Sequence, residues 1–163
     1  MLNFPIVGID PGLGGGIAII WPEDLQLFDT PSIVVERASG KKKRMYDTQE
    51  MYRILRLLQT GSFKYEPPHC FIEDIHAMPG QGVTSMFSMG YGMGLWLGLL
   101  TALSIPYTKI SPQMWKKSFS LSKDKNLSIL RAKELFPHAD ITLKKHEGRA
   151  EALLLAEYGR RNI

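Results

Sequence analysis

Ile6-Val7-Gly8-Ile9-Asp10-Pro11-Gly12-Leu13-Gly14-Gly15-Gly16-Ile17-Ala18-Ile19-Ile20 is the stretch that decides the fold. Residues 6–10 read as a buried strand ending in a carboxylate, residues 11–15 as a tight turn whose glycines supply positive φ, and residues 16–21 as a return strand. A strand rather than a helix follows the glycines, and GxGxxG spacing is missing, so the run is poorly suited to cradle a dinucleotide phosphate. Leu25-Gln26-Leu27-Phe28-Asp29 alternates apolar and polar residues and predicts a third, antiparallel strand. A basic connection follows around Lys41-Lys42-Lys43-Arg44. Asp47 and Glu50 stand at capping-box spacing ahead of Met51, Ile54, Leu55 and Leu58, which predicts a helix stopping near Gly61. Cys70–Ile75 reads as a second buried strand, residues 84–103 as a long helix and Tyr107–Ile110 as a short strand. Ser111-Pro112 opens a helix through Trp115, and further helices are expected over 123–136 and 147–160. Three meandering strands ahead of alternating units predict one mixed sheet with helices on its faces.

The chain has 163 residues, enough for one core and one domain spanning 1–163. Hydrophobic residues make up 44% and charged residues 22%, which excludes wholesale disorder. The net charge of +4 is mild but uneven: residues 1–35 hold acids and no base, and basic residues crowd 36–44 and 109–149. Such alternation suits a protein that grips phosphates around a carboxylate site, and equally a merely uneven surface. Cys70 is the single cysteine, so no intrachain disulfide forms and a reducing compartment is expected. The N-terminus shows no signal or transit peptide, and a cytoplasmic protein is expected. Residues 85–108 carry no charge, yet their glycines, serines and Pro106 favour a buried helix of a soluble protein over a membrane span.

Acids recur where chemistry would want them. Asp10 ends a strand beside a glycine turn and reads either as a turn cap or as a metal ligand. Glu73 and Asp74 are strand neighbours, so just one of them can face Asp10, and the other is left to solvent. Glu147 and Glu151 lie on one helix face, where like charges repel. A shared cation would relieve that; alternatively Glu147 favours the helix dipole and Glu151 pairs with Arg149 or a lysine. His69, Cys70, His76, His138 and His146 lack zinc spacing and are expected mostly on the surface or in loops, and no Ser-His-Asp set is visible.

Taken in order, Val7-Gly8-Ile9-Asp10-Pro11-Gly12, Ile72-Glu73 and Gly148-Arg149-Ala150-Glu151-Ala152-Leu153 resemble the RuvC-type Holliday junction resolvases of the ribonuclease H-like superfamily. The run 92–98, the Trp115-Lys116 element and residues 148–156 bring the chain nearest to the chloroplast members. Without a transit peptide, a bacterial or phage relative is expected rather than the plastid protein itself. The resemblance implies an α/β, ribonuclease H-like mixed five-stranded sheet flanked by helices. It also implies a homodimeric crossover junction endodeoxyribonuclease that nicks two opposed strands of a four-way DNA junction, leaving 5′ phosphates and 3′ hydroxyls. Two Mg²⁺ ions per site, with Mn²⁺ as a substitute, would be held by Asp10, Glu73, Glu147 and Glu151. Bacterial members carry an acid where Gly148 stands, and chloroplast members a histidine where Glu147 stands, so Glu147 could share its role with His146. Hard carboxylate oxygens agree with Mg²⁺.

Within such a nuclease Lys41, Lys42, Lys43, Arg44, Lys109, Lys116, Lys117, Lys144, Lys145 and Arg149 would contact phosphates. Met78 or Phe87 could act as an apolar wedge at the junction, against the plainer reading of a packed turn. Gly90, Gly94 and Gly98 indicate close packing of the long helix, on the sheet or across a dimer, and Trp96 and Trp115 read as core. Other readings are a nuclease for other branched DNA or hybrids and a non-catalytic junction-binding module. An actin-like kinase is a further one, for which the chain lacks the expected second domain and second phosphate loop.

Overall fold

A computed structural model describes residues 3–60, 65–122 and 125–163. Strands β1 (Ile6–Asp10), β2 (Gly16–Ile20) and β3 (Leu25–Asp29) form the expected meander. A hairpin of β4 (Ser32–Glu36) and β5 (Lys42–Tyr46) precedes helix α1 (Thr48–Thr60), followed by β6 (His69–Glu73), α2 (Val83–Ala102) and β7 (Tyr107–Ile110). Helices α3 (Pro112–Ser118), α4 (Lys125–Leu135) and α5 (Glu147–Asn162) complete the chain, α5 entered through a 3₁₀ turn at Lys144–His146. The sheet order is β3-β2-β1-β6-β7, with β1, β6 and β7 parallel and β2 and β3 antiparallel to their neighbours. This is the mixed five-stranded sheet expected. The expected helix end at Gly61 and helix start at Lys123 lie outside the described residues.

Strand alternation divides the core. Val7, Ile9, Ile17, Ile19 and Ile72 face α1 and α2, whereas Ile6, Ala18 and Phe71 face α5. Residues 8, 10 and 73 share the second parity, which points Asp10 and Glu73 towards α5. Gly8 makes the contact close, because a Cβ there would run into the Ala152 carbonyl and the Ala156 amide of α5. A Cβ at Gly16 would meet the Gly148 backbone at 2.8 Å, and Gly15 bridges Gly148. Gly16 thus serves helix-on-sheet approach, and a Cβ at Gly15 would run into Asp10 itself. Positive φ, expected there, is found among described glycines at Gly40 and Gly80 instead.

Asp47 caps α1 as its spacing predicted, accepting from the Glu50 amide at 3.1 Å. The basic connection is corrected to a hairpin: Ile33 pairs with Met45 and Val35 with Lys43, around a turn that Gly40 closes at φ 75°. Ile33-Val34-Val35 supplied the β-branched signal. Tyr46 anchors the hairpin by donating to the Pro11 carbonyl at 3.2 Å and packing against Gly92.

The long helix is corrected as well. Met93, Trp96 and Leu100 of α2 are buried, yet 22% of its most apolar window is buried and it is long and apolar enough to cross a membrane. A Cβ at Gly90, Gly94 or Gly98 would meet nothing within 4 Å among the described residues, so these glycines do not pack on the sheet. Met78 and Phe87 are 67% and 74% exposed, which removes the packed-turn reading. His146 is buried rather than on the surface, and Cys70 is buried as its strand reading expects.

Candidate active site

Asp10 and Glu73 end adjacent parallel strands, one step beyond the Ile9–Ile72 pair. Such strand ends are where open α/β sheets place their ligands. Glu151 is brought to them because Ala152, its neighbour on α5, seats against Gly8. The three carboxylates feel one another. Burial, then Glu73 and Glu151, push the Asp10 carboxyl up to about 8, against lowering by the Gly12 amide and Lys116. Burial raises Glu73 too, helped by Glu151 and opposed by its bond from Trp115 and by Lys116. Burial first, and neighbouring carboxylates second, thus disfavour the ionised form of Asp10 and Glu73.

Helix α3 supplies partners for two of these acids. The Trp115 indole donates to Glu73 Oε1 at 3.0 Å, and the next residue, Lys116, places Nζ 3.0 Å from Glu151 Oε1. Ser128 donates to the same Glu151 oxygen at 3.2 Å. Burial pulls the Lys116 ammonium down, but Glu151, Glu73 and Asp10 together hold it above its ordinary value. The sequence showed Trp115 as core and Lys116 as a phosphate contact; nothing in the linear pattern indicates that two consecutive residues reach two different acids.

By donor type the acids suit a hard divalent cation. Among the described residues no three His, Cys, Asp or Glu side chains stand close enough to hold an ion, the Lys116 ammonium being the cation against Glu151. Of the two readings for Glu151, pairing with a lysine is the one present.

Glu147 lines, with Glu151, Lys116, Lys117, Gln113 and Ser120, an open groove of about 900 Å³ leading from the acids. His146 is buried in the 3₁₀ turn. Asp74, on the other strand face, pairs with His76 at 3.2 Å, so Glu73 is the member that joins Asp10. Lys41, Lys42, Lys43 and Arg44 are exposed on the hairpin, and Lys109, Lys117, Lys144 and Lys145 are exposed too. Arg149 departs from expectation. Its guanidinium binds Asp29 at 2.7 Å and Asp140 at 2.8 Å, tying α5 to the end of β3 and to the loop after α4. These bonds hold Asp29 below the usual carboxylate range.

No protein-family profile matches the chain. In sequence it is similar to the chloroplastic Holliday junction resolvase MOC1 of Chlamydomonas reinhardtii, 34% identical over 92 residues. That match covers 54% of this chain and 10% of the longer relative. In structure it is similar to T. thermophilus RuvC in complex with a Holliday junction substrate, with a TM-score of 0.57 at 15% identity, covering 97% of this chain and 96% of that one. A second Thermus thermophilus RuvC structure matches at a TM-score of 0.51 and 16% identity, covering 98% and 97% of the two chains. The chain therefore has the fold of RuvC, and over 54% of its length its sequence resembles a Holliday junction resolvase of which it spans a tenth.

Proposed function

We propose that this chain is a metal-dependent endonuclease that resolves four-way DNA junctions, working as a homodimer and leaving 5′ phosphates and 3′ hydroxyls. The observation that carries the reading is the meeting of Asp10, Glu73 and Glu151, from β1, β6 and α5, at one sheet end beside a groove rimmed by lysines. Asp10, Glu73 and Glu151 would hold two Mg²⁺ or Mn²⁺ ions, with Glu147 at the groove side. Bound divalent ions would supply charge neutralisation at the scissile phosphate and an acidified water. The chain's own residues orient and exclude. Trp115 keeps the Glu73 carboxylate in one orientation, and α5, seated on Gly8, keeps Glu151 beside Asp10. Lys41 to Arg44 on the hairpin, with Lys117 and Lys145, supply phosphate contacts. Arg149 belongs to the fold instead, since its donors are engaged by Asp29 and Asp140.

A second reading, a junction-binding module without catalysis, draws support from the ammonium at Glu151. Synthetic four-way junctions, flaps, duplexes and hybrids incubated with Mg²⁺, with and without chelator, separate the two. The nuclease reading expects cutting of the junction alone, abolished by chelator. Junction binding with no cutting by the native chain favours the module, and equal cutting of plain duplex rejects junction selectivity.

A further inference from the structure

We propose that Tyr46 is a positioning residue for Asp10: its hydroxyl fixes the peptide plane between Pro11 and Gly12, whose opposite end holds the carboxylate. The inference rests on the nuclease reading above and adds to it a residue outside the acid cluster. Tyr46 Oη donates to the Pro11 carbonyl at 3.2 Å, and the Gly12 amide donates to Asp10 Oδ1 at 3.4 Å. That carbonyl and that amide belong to one planar trans peptide unit, so they point to opposite sides and turn together. The bond to Asp10 is long, and a small rotation of the plane breaks it. A donor on the carbonyl both resists that rotation and polarises the amide towards the acid.

The phenol is built into place. Tyr46 is 7% exposed, whereas Lys42 to Met45, ahead of it on β5, are exposed. Its tip lies against α2, where a Cβ at Gly92 would stand 2.0 Å from Oη and 2.4 Å from Cζ. The Tyr91 ring adds a tilted contact, 6.1 Å between centroids. The backbone just beyond is pinned: the Asp47 amide donates to the Pro31 carbonyl at 3.0 Å while the Asp47 side chain caps α1. Phenylalanine would fill the same space, so the hydroxyl is the part that reaches the turn. Tyr46 is the buried end of an exposed hairpin, and through it the seating of that hairpin reaches Asp10.

The test removes the hydroxyl alone. Tyr46→Phe in the full chain should keep junction affinity in a gel-shift assay. Its single-turnover cleavage at saturating junction should fall roughly tenfold, since slight misplacement of an active-site group is costly. In the same variant, free of DNA and metal, the Gly12 amide proton should move upfield as its bond to Asp10 loosens. Gly92→Ala keeps the hydroxyl but takes its space, and should reproduce both effects. Either variant cutting at the native rate, or losing affinity instead of rate, overturns the proposal. So does an unmoved Gly12 amide, which a purely packing role for the ring predicts. If the native chain cuts no junction, the nuclease reading falls by itself, and the Gly12 resonance alone decides whether Tyr46 holds the turn at Asp10.

Discussion

Asp10 has its carboxyl pushed up to about 8, and the sign of the consequence can be worked out. In the unfolded chain it ionises near the ordinary value of 3.8, so between these values the folded state holds a proton that the unfolded state has lost. Its contribution to stability is fully present below about pH 4 and is lost as pH rises through about 8. Thermal melts in chelator should therefore show the native chain losing stability relative to Asp10→Asn from acid to alkaline pH. The loss should be on the order of 6 kcal/mol at most, at ~1.4 kcal/mol for each tenfold difference in proton affinity between the folded and unfolded chain. Mn²⁺ should reverse it. Parallel melts that stay parallel across this range count against the buried, crowded setting of Asp10. The same residue separates binding from chemistry. Asp10→Asn, Glu73→Gln and Glu151→Gln should each keep junction affinity in a gel-shift assay and lose cleavage by roughly a hundredfold or more. Cutting at the native rate by any of these variants takes that residue out of the site. Glu147, on the groove side, should matter less than Glu151.

Elements decide which acids meet. Gly8 on β1 is the contact on which α5 seats, and Gly8→Ala should destabilise the fold by about 3 kcal/mol. A denaturation midpoint equal to the native one shows that α5 does not press on β1 there. The sequence made both strand acids legible, because apolar runs ending in carboxylates mark the mouth of a buried sheet; period-2 alternation allowed just one of Glu73 and Asp74 to join Asp10, and the family resemblance pointed to Glu73. It could not show the reach of α3, since Trp115 and Lys116 meet Glu73 and Glu151 through tertiary packing. The hairpin was hidden for another reason: the lysines of β5 read as a solvated connection, and its strands stand outside the main sheet with little burial to pattern them. Arg149 stood in a basic block, yet Asp29 lies 120 residues earlier and only the fold brings the two together. Arg149→Met should accordingly lower the melting temperature and leave the salt dependence of junction binding alone. Lys41→Gln, Lys42→Gln and Lys43→Gln should do the opposite. Each lysine that meets a phosphate should reduce the slope of log affinity against log salt by about 0.9. An unchanged slope in the triple variant removes the hairpin from the DNA interface.

At the scale of the whole molecule, one site can make one incision, whereas a four-way junction with near two-fold symmetry needs two to be resolved. A homodimer with its two-fold axis on the junction axis answers that need, and closed two-fold pairs require a self-complementary surface. The outer face of α2 has that character. Gly90, Gly94 and Gly98 recur every four residues, a Cβ at any of them would meet nothing within 4 Å among the described residues, and Phe87 and Tyr91 continue the same exposed stripe towards the hairpin. Bare glycine on an exposed helix face is a cost of roughly 1 kcal/mol per residue relative to alanine, so intrachain stability alone gives no reason for three. Close approach of a second α2 gives one. Gly94→Leu therefore makes opposite predictions for the monomer and the dimer. The added side chain clashes with nothing within the chain and improves helix propensity, so the melting temperature of the isolated subunit should hold or rise. Across a tight helix pair the same side chain cannot be housed, so light-scattering mass should fall from two chains to one. On a supercoiled plasmid carrying an extruded cruciform, the native chain should give linear product from paired incisions. Gly94→Leu should give nicked circles, because its acids remain assembled but no longer act in pairs. A variant that stays dimeric and still linearises the plasmid would place the pairing surface elsewhere on the molecule.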